Sequence, residues 1–207
     1  VLTGGASVMI HARVAIPTGA IPGDIDQATL VASSVATPTV SVTAQVTTQA
    51  TSGEIAYVTL PESNLVGLVD ASLYTVVDVV DMGAAGCYYP WRATISPDGR
   101  EVYVSCNQSD SVAVISANSN SVVATVSGIP GADGIAFTRN SEYALVGSRW
   151  DNRVSVIHTK SLAVTTIPTP AAVSSIAAHP YLNRAYVTSS NGDILVIDTS
   201  TFTILTS

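Results

Sequence analysis

Residues 101–116 read EVYVSCNQSDSVAVIS, two short apolar runs separated by a polar turn. Both runs are rich in β-branched and aromatic residues and are bounded by polar residues, which is typical of β-strands. The same pattern returns in three other places. The four copies begin at residues 56, 102, 144 and 185, so successive copies lie 46, 42 and 41 residues apart. A period of this length indicates a repeat architecture.

Each of the first three copies is followed by two more apolar runs, such as residues 121–126 and, after a loop that contains Gly and Pro, residues 134–137. Turn-forming segments such as Ser96-Pro97-Asp98-Gly99 separate the runs. Four short strands in a unit of about 42 residues are the pattern of a propeller blade. We therefore predict an all-β protein, a β-propeller of about four blades, each a four-stranded antiparallel sheet.

Several of these segments resemble the repeats of YVTN-family β-propellers. They are the Tyr-Val-Thr runs at 57–59 and 186–188, the Val-Ile-Asp run at 196–198, the turn at 96–99 and the stretch 179–188, which begins His179-Pro180. The resemblance spans residues 56–207 and implies a secreted or cell-surface propeller. It says more about fold than about function, because propellers carry many unrelated activities.

Residues 1–55 match the repeat poorly, and we predict an N-terminal strand-bearing segment over 1–39 and propeller repeats over 40–207. Within these ranges we expect a strand at 7–16 and the innermost strand of the first blade at 40–46. After residues 194–198 only one short run remains, so the last blade is expected to be incomplete or to be left with an open edge. We expect the strand at 7–16 to complete it, from the same chain or from a neighbouring subunit, because bare sheet edges invite pairing.

The composition limits the classes of partner. Only 11% of the 207 residues are charged, the formal net charge is −7 and Lys160 is the only lysine, which argues against nucleic-acid binding. No apolar run approaches the roughly 20 residues of a membrane-spanning helix. The expected partners are further copies of the chain, other surface proteins or a glycan, at an extracellular or cell-surface location.

No catalytic, cofactor-binding or metal-binding motif stands out. The three histidines, His11, His158 and His179, are too far apart in the blade scheme to form a metal site. We therefore predict a non-enzymatic extracellular module, a structural or binding subunit of a cell surface or fibre. The alternative is a propeller enzyme of the lactonase or lyase kind. It would need His, Glu or Arg on the inner strands around the central channel, where Arg92 is the one charged residue.

One candidate contact patch combines aromatic and arginine side chains. The loop that enters a blade and the loop between its second and third strands share one face of a propeller. On that face we place Tyr88, Tyr89, Trp91, Arg92, Arg149 and Trp150. Such side chains favour recognition of a sugar by ring stacking or of a protein by buried anchors. The alternative is that Trp91 and Tyr89 only fill the gap between blades.

The two cysteines are candidates for one disulfide. Pairing about the turn at 96–99 matches residue 95 with 102, 93 with 104 and 91 with 106, which brings Cys87 close to Cys106. A disulfide requires Cα atoms within about 7 Å. Two buried free thiols are the alternative.

Two kinds of polar residue remain. Asn107-Gln108-Ser109 is the single N-glycosylation sequon, and we expect Asn107 on an exposed loop, although sequons also arise by chance. Carboxylates such as Asp133 are expected in turns, where they accept backbone hydrogen bonds.

Overall fold

A computed structural model describes residues 25–33, 41–49, 54–71 and 73–206, with side chains described from residue 54 onward. The chain divides into two compact units, Val1–Glu54 and Ile55–Ser207. In the part of the chain described, no helix is long and apolar enough to cross a membrane.

The first unit contains a hairpin of β1 (Ile25–Ser33) and β2 (Ser41–Gln49), paired in antiparallel register over all nine residues of each strand. The structure therefore differs from the prediction that residues 40–46 form the inner strand of the first blade. Strands that are close in sequence pair at a low loop-closure cost, which favours this local hairpin.

The second unit consists of four antiparallel sheets. Its fifteen strands, in chain order, are β3 (Ile55–Leu60), β4 (Leu65–Asp70), β5 (Thr75–Asp81), β6 (Pro90–Ile95), β7 (Glu101–Cys106), β8 (Ser111–Ser116), β9 (Ser121–Ser127), β10 (Ala132–Phe137), β11 (Tyr143–Ser148), β12 (Arg153–His158), β13 (Val164–Pro168), β14 (Val173–Ala178), β15 (Arg184–Ser189), β16 (Ile194–Asp198) and β17 (Thr203–Thr206).

These strands form four blades in chain order. Blade 1 is β3-β4-β5, blade 2 is β6 to β9, blade 3 is β10 to β13 and blade 4 is β14 to β17. The described helix of this unit is limited to three-residue 3-10 turns, such as Asn107–Ser109. The prediction of an all-β protein with about four antiparallel blades is confirmed.

Consecutive blades pack through their inner strands. Strand β3 contacts β6, β6 contacts β10 and β10 contacts β14, while no extensive contact joins blade 4 to blade 1 among the described residues. Gly134 allows β10 to approach β14 closely, since a Cβ at this position would lie 2.8 Å from the backbone nitrogen of Ile176. Apolar side chains fill the space between each pair of blades, as where Val66 and Leu68 meet Val104.

The last blade has a fourth strand of its own. Strand β17 pairs with β16, with Ile204 opposite Ile197 and Thr203 opposite Asp198. Blade 4 therefore has four strands and is not incomplete, whereas the other expectation, an open edge, agrees with the structure, because no further strand pairs with β17 among the described residues. The predicted donor strand, residues 7–16, lies outside the described residues.

Candidate functional site

An extra residue interrupts the beginning of the inner strand in three blades. The register shifts between Pro90 and Arg92 in β6, between Ala132 and Ile135 in β10, and between Val173 and Ser175 in β14. Such bulges redirect the side chains of neighbouring residues and are common beside binding sites. Trp91 and Asp133 lie at two of these bulges, on adjacent blades.

Asp133 is fully buried and lies between two arginine side chains. Its Oδ1 accepts a hydrogen bond from Arg92 Nε at 3.0 Å, and its Oδ2 lies 3.1 Å from Arg149 Nε. A buried carboxylate is costly unless it is paired, so these two guanidinium groups compensate the charge of Asp133. The expectation that Asp133 is a turn residue is wrong, because it lies in β10 and the bulge turns its side chain toward the arginines.

Arg92 and Arg149 differ in how well they bond to Asp133. Each side chain is about half exposed. The contact of Arg149 with Oδ2 lacks hydrogen-bond alignment, and Oδ2 has no other hydrogen-bond partner among the described residues. Arg149 can therefore reorient at a lower cost than Arg92.

The aromatic rings of Trp91 and Tyr89 lie beside the ion-pair cluster of Arg92, Asp133 and Arg149. Their rings stack, with centroids 5.7 Å apart and an angle of 13° between the planes. The Arg149 Cζ lies 6.0 Å from the centroid of the Trp91 ring, within the range of a cation–π contact. Thr59 of blade 1 donates to the carbonyl oxygen of Trp91 at 3.1 Å. Trp91 thus packs on Tyr89, contacts Arg149 and is bonded through its carbonyl to blade 1, while both rings remain partly exposed.

Trp150 presents the largest exposed ring of the predicted patch. It is 57% exposed and lies against Gly131, where a Cβ would come within 2.7 Å of two ring carbons. Gly131 also has a φ of +54°, a conformation that glycine adopts readily. The backbone N–H of Arg149 donates to the carbonyl of Gly131 at 3.0 Å, which fixes the start of this loop.

Tyr88 is exposed and joins the patch indirectly. Its backbone N–H donates to Ser109 Oγ at 2.7 Å, and Asp110 of the same turn accepts from the backbone N–H of Gly131 at 2.9 Å. The structure therefore brings Tyr89, Trp91, Arg92 and Arg149 into direct contact. It places Trp150 beside them in the chain and links Tyr88 through the turn at 107–110.

A disulfide between Cys87 and Cys106 fastens the loop that carries Tyr88 to the end of β7. The Cα atoms are 5.0 Å apart, and both residues are fully buried. Of the predicted pairs around this hairpin, 95 with 102 and 93 with 104 are confirmed. The pair 91 with 106 is wrong, because the bulge at Trp91 shifts the register and sets Pro90 opposite Cys106.

Asn107 is in the predicted loop but is buried, which corrects the expectation of an exposed acceptor. Its Nδ2, the atom that would carry an N-linked glycan, donates to the carbonyl of Ala132 at 3.1 Å. Asn107 therefore joins blade 2 to blade 3 in the folded chain.

The inner strands surround a cavity of about 480 Å³ that begins beside Arg92. It is lined by Tyr57, Val58, Thr59, Trp91, Arg92, Ala93, Thr94, Gly134, Ile135, Ser175 and Ile176. Of the lining residues that the structure describes, Arg92 is the one with a full charge. The hydroxyl of Tyr57 donates to Asn120 Oδ1 at 3.0 Å. Burial raises the pKa of Tyr57, so its phenol stays protonated at neutral pH. Among the described residues, this lining contains no His, Asp or Glu side chain that could act as a general base.

The two described histidines bond to nearby backbone. His158 Nδ1 accepts from the backbone N–H of Ser161, as Asp198 Oδ1 accepts from that of Thr201 at the equivalent position in the next blade. His179 Nδ1 accepts from the backbone N–H groups of Tyr181 and Leu182. Over the described residues, no group of three or more His, Cys, Asp or Glu side chains is placed to hold a metal ion.

Comparisons with known proteins support the fold. No family model matches the chain. No curated protein matches it significantly. Among solved structures, a hydrazine synthase of Kuenenia stuttgartiensis aligns with a TM-score of 0.68 and 19% identity, over 74% of this chain and 45% of that one. A functionally unknown protein of Desulfotomaculum acetoxidans aligns with a TM-score of 0.56 and 15% identity, over 68% of this chain and 49% of that one.

The chain thus spans about half the length of the solved chains that it matches. At these identities the likeness concerns the fold alone.

Proposed function

We propose that this chain is a non-enzymatic binding module of a cell surface or extracellular structure, a propeller of the YVTN kind that recognises an acidic sugar. One observation carries the proposal. Two half-exposed guanidinium groups, Arg92 and Arg149, are held by the fully buried carboxylate of Asp133, and the exposed ring of Trp150 follows directly in the chain.

The ion-pair cluster retains capacity for an anion. Arg92 and Arg149 each approach Asp133 through Nε, so the terminal nitrogens of their forks can bind another carboxylate. The three side chains together carry one positive charge, which a single acidic group would neutralise. A bound carboxylate would also give Arg149 a well-aligned hydrogen-bond acceptor, since that arginine lacks an aligned hydrogen bond to Asp133.

Trp150 provides a surface for stacking of the sugar ring, in addition to the charge recognition by the arginines. Its ring rests on the backbone of Gly131 and is otherwise largely open, a preformed surface on which a sugar ring can stack. The overall charge of −7 repels long polyanions, so a short oligosaccharide with one or a few acidic groups fits better.

The extracellular assignment draws on the sequence resemblance and the chemistry of the chain. The Cys87–Cys106 disulfide suits an oxidising compartment, and the single lysine and low charged fraction suit a surface protein rather than one that binds nucleic acid. The enzymatic alternative is less favoured. Arg92 is the one charged residue in the described lining of the cavity, and no acidic or histidine side chain accompanies it in that lining.

The test is calorimetric titration of the full chain with trigalacturonate and with a neutral galactose trisaccharide of the same length. We expect the acidic sugar to bind and the neutral one to bind at least tenfold more weakly, about 1.4 kcal/mol. Arg149→Gln should remove most of this preference. Arg139→Gln is the matched control, since Arg139 bonds to the carbonyl of Tyr181 and lies outside the patch. Equal affinity for both sugars, or no binding to either, would contradict the proposal.

A further inference from the structure

The turns between β3 and β4 and between β7 and β8 are built alike. Each is a three-residue 3-10 turn that ends on a residue with a positive φ, Asn64 at +55° and Asp110 at +50°. Asn and Asp adopt this left-handed conformation more readily than most residues with a side chain, and their side-chain oxygens accept hydrogen bonds in turns. Both turns therefore end on a residue whose side chain can accept a hydrogen bond from a neighbouring loop.

Asn64 holds the loop that leads into blade 2. Its Oδ1 accepts a hydrogen bond from the backbone N–H of Tyr89 at 2.8 Å, and its carbonyl oxygen accepts from that of Met82 at 2.9 Å. Tyr89 has a φ of +57° and stacks its ring on Trp91. This turn of blade 1 thus sets the position of the aromatic pair beside the ion-pair cluster.

Asp110 holds the loop that leads into blade 3 with the same two bonds. Its Oδ1 accepts from the backbone N–H of Gly131 at 2.9 Å, and its carbonyl oxygen accepts from that of Ile129 at 2.8 Å. The ring of Trp150 lies against Gly131, and the carbonyl of Gly131 accepts from the backbone N–H of Arg149. Asp110 is therefore linked to two members of the patch through a single glycine.

The loop that leads into blade 4 carries no residue of the patch, and it is held differently. Asn152 has the position of Asp110 in the turn between β11 and β12. Its carbonyl oxygen accepts from the backbone N–H of Thr169 at 3.0 Å, as that of Asp110 accepts from Ile129. Among the described residues, however, Asn152 is not one of those with a positive φ, and its side chain makes no hydrogen bond to this loop. The side-chain bond is thus present at the two loops that carry the patch.

From this we infer that Asn64 and Asp110 are positioning residues of the acidic-sugar site, an inference that rests on the proposed function. The two side-chain bonds fix the backbone beneath Trp150 and beside Trp91 before a ligand arrives. Less conformational freedom is then lost when the sugar binds. Each bond should therefore raise the affinity for the sugar in addition to stabilising the fold.

The test replaces Asp110 by Gly, which keeps the positive φ and removes the acceptor, and by Asn, which keeps both. In calorimetric titration Asp110→Gly should bind trigalacturonate about fivefold or more weakly than the wild type, and Asp110→Asn should restore most of the affinity. Asn64→Gly and Asn64→Asp form a second pair with the same expectations.

Asn120→Gly is the matched control. Asn120 also has a φ of +50°, and its Oδ1 accepts from the Tyr57 hydroxyl, a bond between two blades at the opposite end of β8 from Asp110. The control variant should lower the melting temperature as the other glycine variants do, because it loses a bond of the same kind. It should leave the affinity for trigalacturonate unchanged, because this bond holds no loop of the patch.

NMR resonances of the unliganded protein separate positioning from sugar binding. In Asp110→Gly the indole N–H of Trp150 and the backbone N–H of Arg149 should shift, and in Asn120→Gly they should not move. Wild-type affinity of the glycine variants at positions 64 and 110, equal weakening by Asn120→Gly, or no recovery in Asp110→Asn would each overturn the inference. Failure of the wild type to bind trigalacturonate would instead contradict the proposed function, and unmoved resonances in Asp110→Gly would overturn the inference on their own.

Discussion

Arg92 Nε lies 3.0 Å from Asp133 Oδ1, and this bond links the inner strands of two neighbouring blades. The arginine side chain is half exposed, whereas the carboxylate is fully buried. Asp133 is therefore a fixed internal counter-charge, and the outer edge of the guanidinium faces solvent in a defined position. The same relation holds for Arg149 on the other carboxylate oxygen.

Asp133→Asn should destabilise the fold, because it removes the negative charge that two arginines share at a buried position. Breaking a buried pair from one side costs about 3–5 kcal/mol, and we expect about 2 kcal/mol here because both arginines reach water. Urea unfolding measures this loss. Asp151→Asn is the matched control, since Asp151 pairs with Arg153 at the surface, and it should change stability by less than about 0.5 kcal/mol. Equal effects of the two substitutions would contradict the role given to Asp133.

Trp150→Ala should weaken binding of trigalacturonate at least tenfold and leave the melting temperature within about 2 °C of the wild type. The reason is that the ring is largely exposed and rests on one glycine, so it contributes little to the core. Calorimetric titration and thermal unfolding of the same preparation measure both quantities. Tyr181→Ala removes another strongly exposed ring and should leave binding unchanged. A clear drop in melting temperature with unchanged affinity would identify Trp150 as a packing residue.

Replacing both Cys87 and Cys106 by Ala should lower the free energy of unfolding by about 3 kcal/mol. The disulfide spans 19 residues, and a closed loop of this length restricts the unfolded chain by about that amount. Denaturant unfolding with and without a reducing agent measures the effect. The reductant should destabilise the wild type and leave the double variant unchanged. A wild type insensitive to reduction under unfolding conditions would exclude the bond.

The pKa values of two carboxyl groups in blade 2 should be shifted in opposite directions from their ordinary values. The hydrogen bond from Ser96 holds the pKa of Asp98 below its ordinary 3.8, whereas burial and the charge of Asp98 raise the pKa of Glu101 above 4.5. The lowered pKa of Asp98 means that its stabilising effect is complete above pH 3.8 and is lost as the pH falls through its folded-state pKa. Carboxyl carbon NMR titration measures both values.

Asp98→Asn gives the corresponding stability test. The variant should melt below the wild type at pH 7, and the difference should shrink below pH 3.8, where the wild-type carboxylate becomes protonated. A difference in melting temperature that stays constant down to pH 2 would contradict this account, because it would show that the effect does not depend on the charge of Asp98.

Repetition explains why the blades could be predicted. Tyr57, Tyr103 and Tyr186 occupy the third position of β3, β7 and β15, because the repeated sequence pattern sets the same strand in each copy. Members of the patch could also be found, since each of the two tryptophans of the chain is adjacent in sequence to an arginine, Trp91 to Arg92 and Trp150 to Arg149.

The parts that could not be predicted depend on contacts between repeats. The bulge at Trp91 depends on how β6 packs against the neighbouring strands. No residue type in β6 indicates a bulge in the sequence. Asp133 resembled a turn carboxylate because the adjacent glycines suggested a turn, and its role appears only when Arg92 and Arg149 converge on it. Asn107 matched a sequon, but the packing of blade 3 buries its amide.

The most direct test of the binding role is an NMR titration of the wild-type chain with trigalacturonate, observing the arginine Nε–H and tryptophan indole N–H resonances. Arg92, Arg149 and Trp150 should shift with one common dissociation constant. Arg139, whose guanidinium bonds to the carbonyl of Tyr181 outside the patch, should not move. Unperturbed Arg92 and Arg149 resonances at saturating sugar, or shifts confined to Arg139 and other distant groups, would contradict the proposal that this patch binds an acidic sugar.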